Sequence, residues 1–166
     1  MNTKKLRLFF ALTAISSSTL LPAQVVVNEY SCANWRQFYD FYQETEDWIE
    51  LYNPSASPVN LTGFHLSDND NKPTKWPFPA NSVIKANSYL IVWCSGRDLK
   101  DPQGELHANF KMTQTKNNAE HIIFADPNGT VLQDIKVEKT QTHQSWARFP
   151  DGSNEWRISL EPSLGG

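Results

Sequence analysis

Asp47-Trp48-Ile49-Glu50-Leu51-Tyr52-Asn53-Pro54 is the stretch that most narrows what this chain can become. Trp48, Glu50 and Tyr52 alternate with Ile49 and Leu51, the period-2 rhythm of a strand with one face turned inward. Pro54 and Pro58 punctuate the turn that follows. A second alternating run then extends from Val59 to Leu66 and carries Gly63-Phe64-His65-Leu66-Ser67-Asp68.

Read in the same way, the rest of the chain is almost all strand. Strands are expected at Val25 to Tyr30, Trp48 to Tyr52, Val59 to Leu66, Ser82 to Ile84, Tyr89 to Cys94 and, more weakly, Ala108 to Met112. His121 to Ala125 and Val131 to Val137 flank Asp126-Pro127-Asn128-Gly129, where Pro presets φ and Gly accepts a positive φ, so they form a hairpin. A last pair runs from Ser145 to Phe149 and from Trp156 to Ile158 around Pro150-Asp151-Gly152-Ser153. Short strands separated by turn signals every 8 to 12 or so residues predict an all-β, immunoglobulin-like β-sandwich rather than an α/β fold.

Residues 1–23 read as a signal peptide. Lys4, Lys5 and Arg7 precede an apolar run from Leu8 to Leu21, and cleavage is expected after Ala23 or Gln24. Nothing later is long and apolar enough to span a bilayer, so the mature protein is expected to be secreted, periplasmic or at the cell surface. The remaining residues 24–166 suit one domain. Losing three leader cations leaves 12 cations against 18 acids, a formal charge of −6. Such a balance disfavours nucleic acid, which is bound through basic patches.

Export would let the only two cysteines, Cys32 and Cys94, form a disulfide, closing a loop of about 60 residues worth roughly 4 kcal/mol. Two separately buried thiols are the other reading. Neither cysteine has a His-Asn companion pattern of a catalytic thiol.

With these residues laid out, the chain resembles the lamin tail domain, the immunoglobulin-like module of nuclear lamins that also occurs in many exported bacterial proteins. Val27-Asn28-Glu29-Tyr30 is similar to the family's opening strand and Asp47 to Asn53 to its core signature. The block from Val59 to Asp68 follows, with Phe64 where a Trp often stands. Lys75-Trp76-Pro77-Phe78-Pro79, Tyr89-Leu90-Ile91-Val92-Trp93 and Leu106 to Met112 continue it, and Arg148 to Ser153, Trp156 and Glu161 to Gly165 end it. Glu29, Trp48, Glu50, Asn53, Gly63, Trp76, Trp93 and Arg148 are therefore expected to be structural. The resemblance implies a non-enzymatic module for assembly or binding but supplies no ligand; with export, the expected partner is a protein or a glycan at the cell envelope. The resemblance supplies no catalytic residues and no cofactor. Elsewhere such modules accompany nucleases and other hydrolases, so an accessory domain of a secreted hydrolase or nuclease is a lesser alternative.

The departure from that pattern is an aromatic insert at residues 33–46. Trp35, Phe38, Tyr39 and Tyr42 would gather on one side of an amphipathic helical turn and form a candidate binding surface for protein or sugar. The plainer reading is a lid that covers apolar surface at the sandwich edge. Six Trp, five Tyr and nine Phe in one chain suit either role.

Other constellations are weaker. Asp68-Asn69-Asp70-Asn71 offers oxygens to calcium through Asp68 and Asp70, but an EF-hand's Gly and closing Glu are missing, and a solvated turn explains the cluster equally. If the face bearing Glu50 is buried, Glu50 needs Arg148 or backbone N–H groups as partners. A catalytic pairing of Glu50 with Glu29 or Asp47 is the rival role. His65, His107, His121 and His143 have no paired metal spacing.

Overall fold

The computed structural model describes residues 25–115 and 119–166. The leader, its cleavage site and the question of export lie outside the described residues. Thirteen strands run through the described residues, with no helix among them. In chain order they are β1 (Val26–Ser31), β2 (Trp48–Asn53), β3 (Val59–Asn60), β4 (His65–Ser67), β5 (Trp76–Pro77), β6 (Val83–Ile84) and β7 (Ser88–Trp93). β8 (Leu99–Lys100), β9 (Leu106–His107), β10 (His121–Ala125), β11 (Val131–Lys136), β12 (Ser145–Arg148) and β13 (Trp156–Ser159) complete the set.

A seven-stranded sheet has the order β13-β12-β1-β2-β7-β9-β8, and a four-stranded sheet has the order β11-β10-β4-β5. β3 and β6 pair by themselves. All pairings are antiparallel except β7 with β9. This is an all-β, immunoglobulin-like sandwich, with the Asp126-Pro127-Asn128-Gly129 turn joining β10 to β11 as expected.

Two expected strands differ from what forms. The run from Val59 to Leu66 is broken because Gly63 takes φ +78° and the Phe64 N–H donates to the Leu61 carbonyl, a turn that separates β3 from β4. Residues 108–112 alternate in burial as a strand would, with Ala108, Phe110 and Met112 inside. They leave the ladder all the same, because the parallel pairing with β7 is made two residues earlier, at Leu106 and His107. Burial period and hydrogen-bonded pairing are separate properties, and only the first is written in side chains.

The core lies between the two main sheets. Val27, Tyr30, Ile49, Leu51, Val92 and Cys94 come from the large sheet, and Leu66, Trp76, Ile122 and Phe124 from the small one. Phe124 stacks on Phe64 at 5.6 Å between ring centroids and receives Phe78 edge-on at 6.4 Å. Such aromatic pairs add to the area term, about 25 cal/mol per Å² buried.

The opposite face of the large sheet is also buried, which the alternation alone does not require. Trp48 and Trp93 face each other across β2 and β7 on that outer side, both essentially inaccessible. The insert at 33–46 covers them, with the Phe38 ring edge-on to Trp48 at 6.1 Å. At the other end, Ser163 and Gly165 of the C-terminal segment bond to Glu29 and Glu50.

Candidate functional site

The insert is not a helical turn. It is built on a five-residue loop in which one aspartate organises the backbone, and the same loop occurs three times among the described residues. Asp40, Asp101 and Asp126 each accept two N–H bonds on Oδ1, from residues two and four further on. In each, the aspartate also accepts on its carbonyl from the residue three ahead, and its N–H donates to the carbonyl four ahead. The fourth position needs a positive φ, supplied by Gly104 and Gly129 in two copies and by Gln43 at φ 62° in the insert. A glutamine there carries a left-handed penalty of about 1 kcal/mol; glycine avoids that penalty but loses a similar amount through its greater unfolded-chain entropy. In urea unfolding, Gln43→Gly is therefore expected to match native stability within about 0.5 kcal/mol, and Gln43→Val to lose about 1–2 kcal/mol.

Buried polar groups pin this segment. The Asn34 side chain donates to the carbonyls of Phe38 and Glu46 and accepts from the Phe38 N–H. Asp40 Oδ2 takes an ion pair from Arg97 at 2.8 Å, and Arg97 also reaches Glu44 at 2.8 Å while its guanidinium lies over the Tyr42 ring. Lys111 holds Glu46 at 3.0 Å. Against this fixed frame the four candidate aromatics divide. Phe38 is half-buried on Trp48, whereas Trp35, Tyr39 and Tyr42 are exposed, Trp35 at 59%. Trp35 and Tyr39 flank an open groove of about 460 Å³ lined by Arg36, Gln43, Glu44, Thr45, Glu46 and Lys111.

The signature residues sit beneath the C-terminal segment. β1 carries a bulge between Val27 and Glu29, so Asn28 leaves the ladder and Glu29 stands opposite Glu50. Asn28 Nδ2 donates to Glu50 and to Asp151, and its Oδ1 accepts from the Gly152 N–H. Glu50 Oε2 accepts from the Gly165 N–H at 2.9 Å. Glu29 is held by Ser145 and Ser163 hydroxyls, and Tyr89 donates to Asp151 at 2.5 Å. Burial pushes the Glu50 carboxyl up to about 7, against the donors Asn28 and Gly165, with Glu29 and Asp151 adding to the rise. Burial likewise raises Glu29, and raises Asp47 to about 7 with Glu46 adding to it.

Arg148 is not the partner of Glu50. Its guanidinium donates to the carbonyls of Val27 and Ser153 and lies over Trp156, because β12 places it beyond β1 from β2. The backbone N–H of Gly165 and the Asn28 amide take that place. Asn53 caps the loop after β2 by donating to the Ser57 and Lys85 carbonyls. Trp76 and Trp93 send their indole N–H groups to Asp98 and Glu105.

Cys32 and Cys94 are free thiols, so of the two readings left open the bridge is the one that does not form. β2 lies between β1 and β7, which separates residues on those strands by about 10 Å, beyond a disulfide's reach. Burial raises both thiols well above the ordinary range. Asp68 is paired with Lys75 at 2.5 Å, and Asp70 accepts from Asn71.

A different cluster stands where no candidate was marked in the sequence. Asp101, Glu105 and His107 bring three ligand-type atoms within 4.8 Å of one another, directly beneath the insert. The Phe41 N–H donates to Glu105, and the Tyr42 ring meets the His107 ring edge-on at 5.7 Å. The readable signal was Asp101-Pro102-Gln103-Gly104, a repeat of the Asp126 turn chemistry, followed by Glu105 and His107 at the i, i+2 spacing of one strand face.

No curated protein and no solved structure matches the chain. The model of one family does, that of the Lamin Tail Domain, over residues 21–139, which takes in β1 through β11 and the whole insert. β12, β13 and the C-terminal segment lie beyond the matched residues, yet β12 pairs directly with β1. With that match covering well over half of its residues, and the sandwich above to go with it, this chain belongs to the lamin tail domain family.

Proposed function

We propose that this protein is a non-enzymatic binding or assembly module that acts at the cell envelope and recognises a protein partner through the groove of its insert. The observation that carries this reading is the division among the insert's aromatics. A segment clamped by Asn34, Asp40 and Arg97 and seated on Trp48 through Phe38 still presents Trp35, Tyr39 and Tyr42 to solvent. Rigid rings held out from a braced loop lose little conformational entropy on binding, which is how recognition surfaces gain affinity. The buried carboxylates Glu29 and Glu50 are tied to Ser145, Ser163, Asn28 and Gly165, which supports a structural role in preference to acid–base chemistry.

A carbohydrate ligand is the second reading, favoured by the polar lining between Trp35 and Tyr39, since aromatic rings bordering hydrogen-bonding groups suit sugar faces. Capture from native envelope extracts, run beside a glycan array, separates the two. The native domain is expected to retain a partner in one of these assays, and Trp35→Ala with Tyr39→Ala is expected to reduce it at least about tenfold. Equal capture by the double variant would remove the groove from consideration.

A further inference from the structure

Among the described residues four buried side-chain polar atoms have no hydrogen-bond partner, Trp48 Nε1, Trp146 Nε1, Asp101 Oδ2 and His107 Nε2, and the last two lie together beneath the insert. Both side chains are fully inaccessible. Leaving such groups unpaired costs about 1–3 kcal/mol each, so native folds rarely do it without a reason. The two atoms stand 3.5 Å apart, too far for a good N–H to O bond. Two ligands of one tetrahedral ion, each about 2.0–2.1 Å from it, stand about 3.4 Å apart.

We propose that Asp101, Glu105 and His107 form a binding site for one divalent transition-metal ion of the zinc type, which closes the β8–β9 loop onto β9 beneath the insert. Each donor is already oriented by contacts of the kind that support metal ligands. His107 Nδ1 lies 3.0 Å from Ser95 Oγ, and a bond from Nδ1–H to that hydroxyl turns the lone pair of Nε2 toward the ion. Asp40 Oδ2, 4.0 Å from Nδ1, favours the same tautomer. Asp101 spends Oδ1 on the N–H groups of Gln103 and Glu105 and keeps Oδ2 for the site. Glu105 is steadied by Phe41 N–H and Trp93 Nε1, both on Oε2.

One nitrogen and two carboxylates from three residues match a site with its fourth position left to water, and suit zinc better than calcium, which takes six to eight oxygens. Glu105 is only half-buried and gives the ion a way in. The site shares no ligand with the groove bounded by Trp35 and Tyr39, so the two proposals stand or fall separately.

Titration of the metal-stripped native chain with zinc chloride tests this by calorimetry and thermal unfolding. The expected result is one ion per chain and a rise in Tm of roughly 5 °C or more at zinc a hundredfold above its Kd. Glu105→Gln is expected to weaken zinc at least about tenfold, and Ser95→Ala about 10–100-fold through the histidine. His107→Gln is expected to abolish binding; should it fail to fold, Glu105→Gln carries the test. No heat and no Tm shift in the folded native chain would overturn the proposal. So would zinc affinity unchanged in Glu105→Gln, or a response to calcium with none to zinc.

Discussion

Glu50→Gln is expected to remove roughly 3 kcal/mol of the native chain's loss of stability between pH 4.5 and pH 8, and to cost about 1–2 kcal/mol at either pH through one lost hydrogen bond. Glu50 lies fully buried between Asn28 and the Gly165 N–H, and burial raises its carboxyl to about 7. A folded-state value above the unfolded one means that the folded protein holds the proton more tightly. The stability this gives is fully present below about pH 4.5 and is lost as the pH rises through about 7. Above that, the native chain must bury a carboxylate beside Glu29 and Asp151; glutamine stays neutral but accepts only one of the two bonds, its amide NH2 standing donor to donor against the Asn28 amide or the Gly165 N–H. Asp47, also raised to about 7, and Glu29 leave a smaller slope of the same sign in the variant. Urea unfolding of both proteins at pH 4.5 and pH 8 measures the difference. A difference between the two proteins that is the same at pH 4.5 and pH 8 would contradict a carboxyl that holds its proton in the folded state.

Phe124→Ala is expected to cost about 3–5 kcal/mol, the largest single loss from the core. Phe124 is inaccessible, stacked on Phe64 and met edge-on by Phe78, and its strand lies between β4 and β11. Truncation leaves a cavity that Phe64 and Phe78 cannot close without moving the segments beside β4 and β5 that carry them, which are bonded to each other through the Phe78 N–H and the Phe64 carbonyl. Phe124→Leu keeps most of the volume and is expected to cost about 1–1.5 kcal/mol. Both variants should shift the urea midpoint without changing the slope, since the surface exposed on unfolding is nearly the same.

What the sequence disclosed follows from which properties are local. Ile49 and Leu51 face the core because a strand alternates, and Asp126-Pro127-Asn128-Gly129 turns because its residues preset the dihedrals. The burial of Trp48, Trp93 and Glu50 on the other face was less legible, since it depends on the insert and the C-terminal segment folding across it. Alternation says that a strand has two faces, not that both are covered. The insert's aromatics were visible as a group, but Gln43 gave no turn signal where Gly104 and Gly129 did, so a helical turn was the natural reading. Asp101-Pro102-Gln103-Gly104 gave a turn signal before His107, but the burial that sets the Asp101 and His107 side chains against each other was not legible, because it depends on the pairing of β9 with β7. The separation of Cys32 from Cys94 likewise depends on β2 running between their strands.

The recognition surface is the central claim, and hydrogen exchange tests it most directly. The domain alone and in its captured complex would be compared amide by amide. Slower exchange in the complex is expected across residues 35–46 and at Lys111, which border the groove, and little change is expected at β13. Unchanged exchange in the insert, with new protection along β13 where Phe149, Ile158 and Leu160 are exposed at the sheet edge, would contradict it.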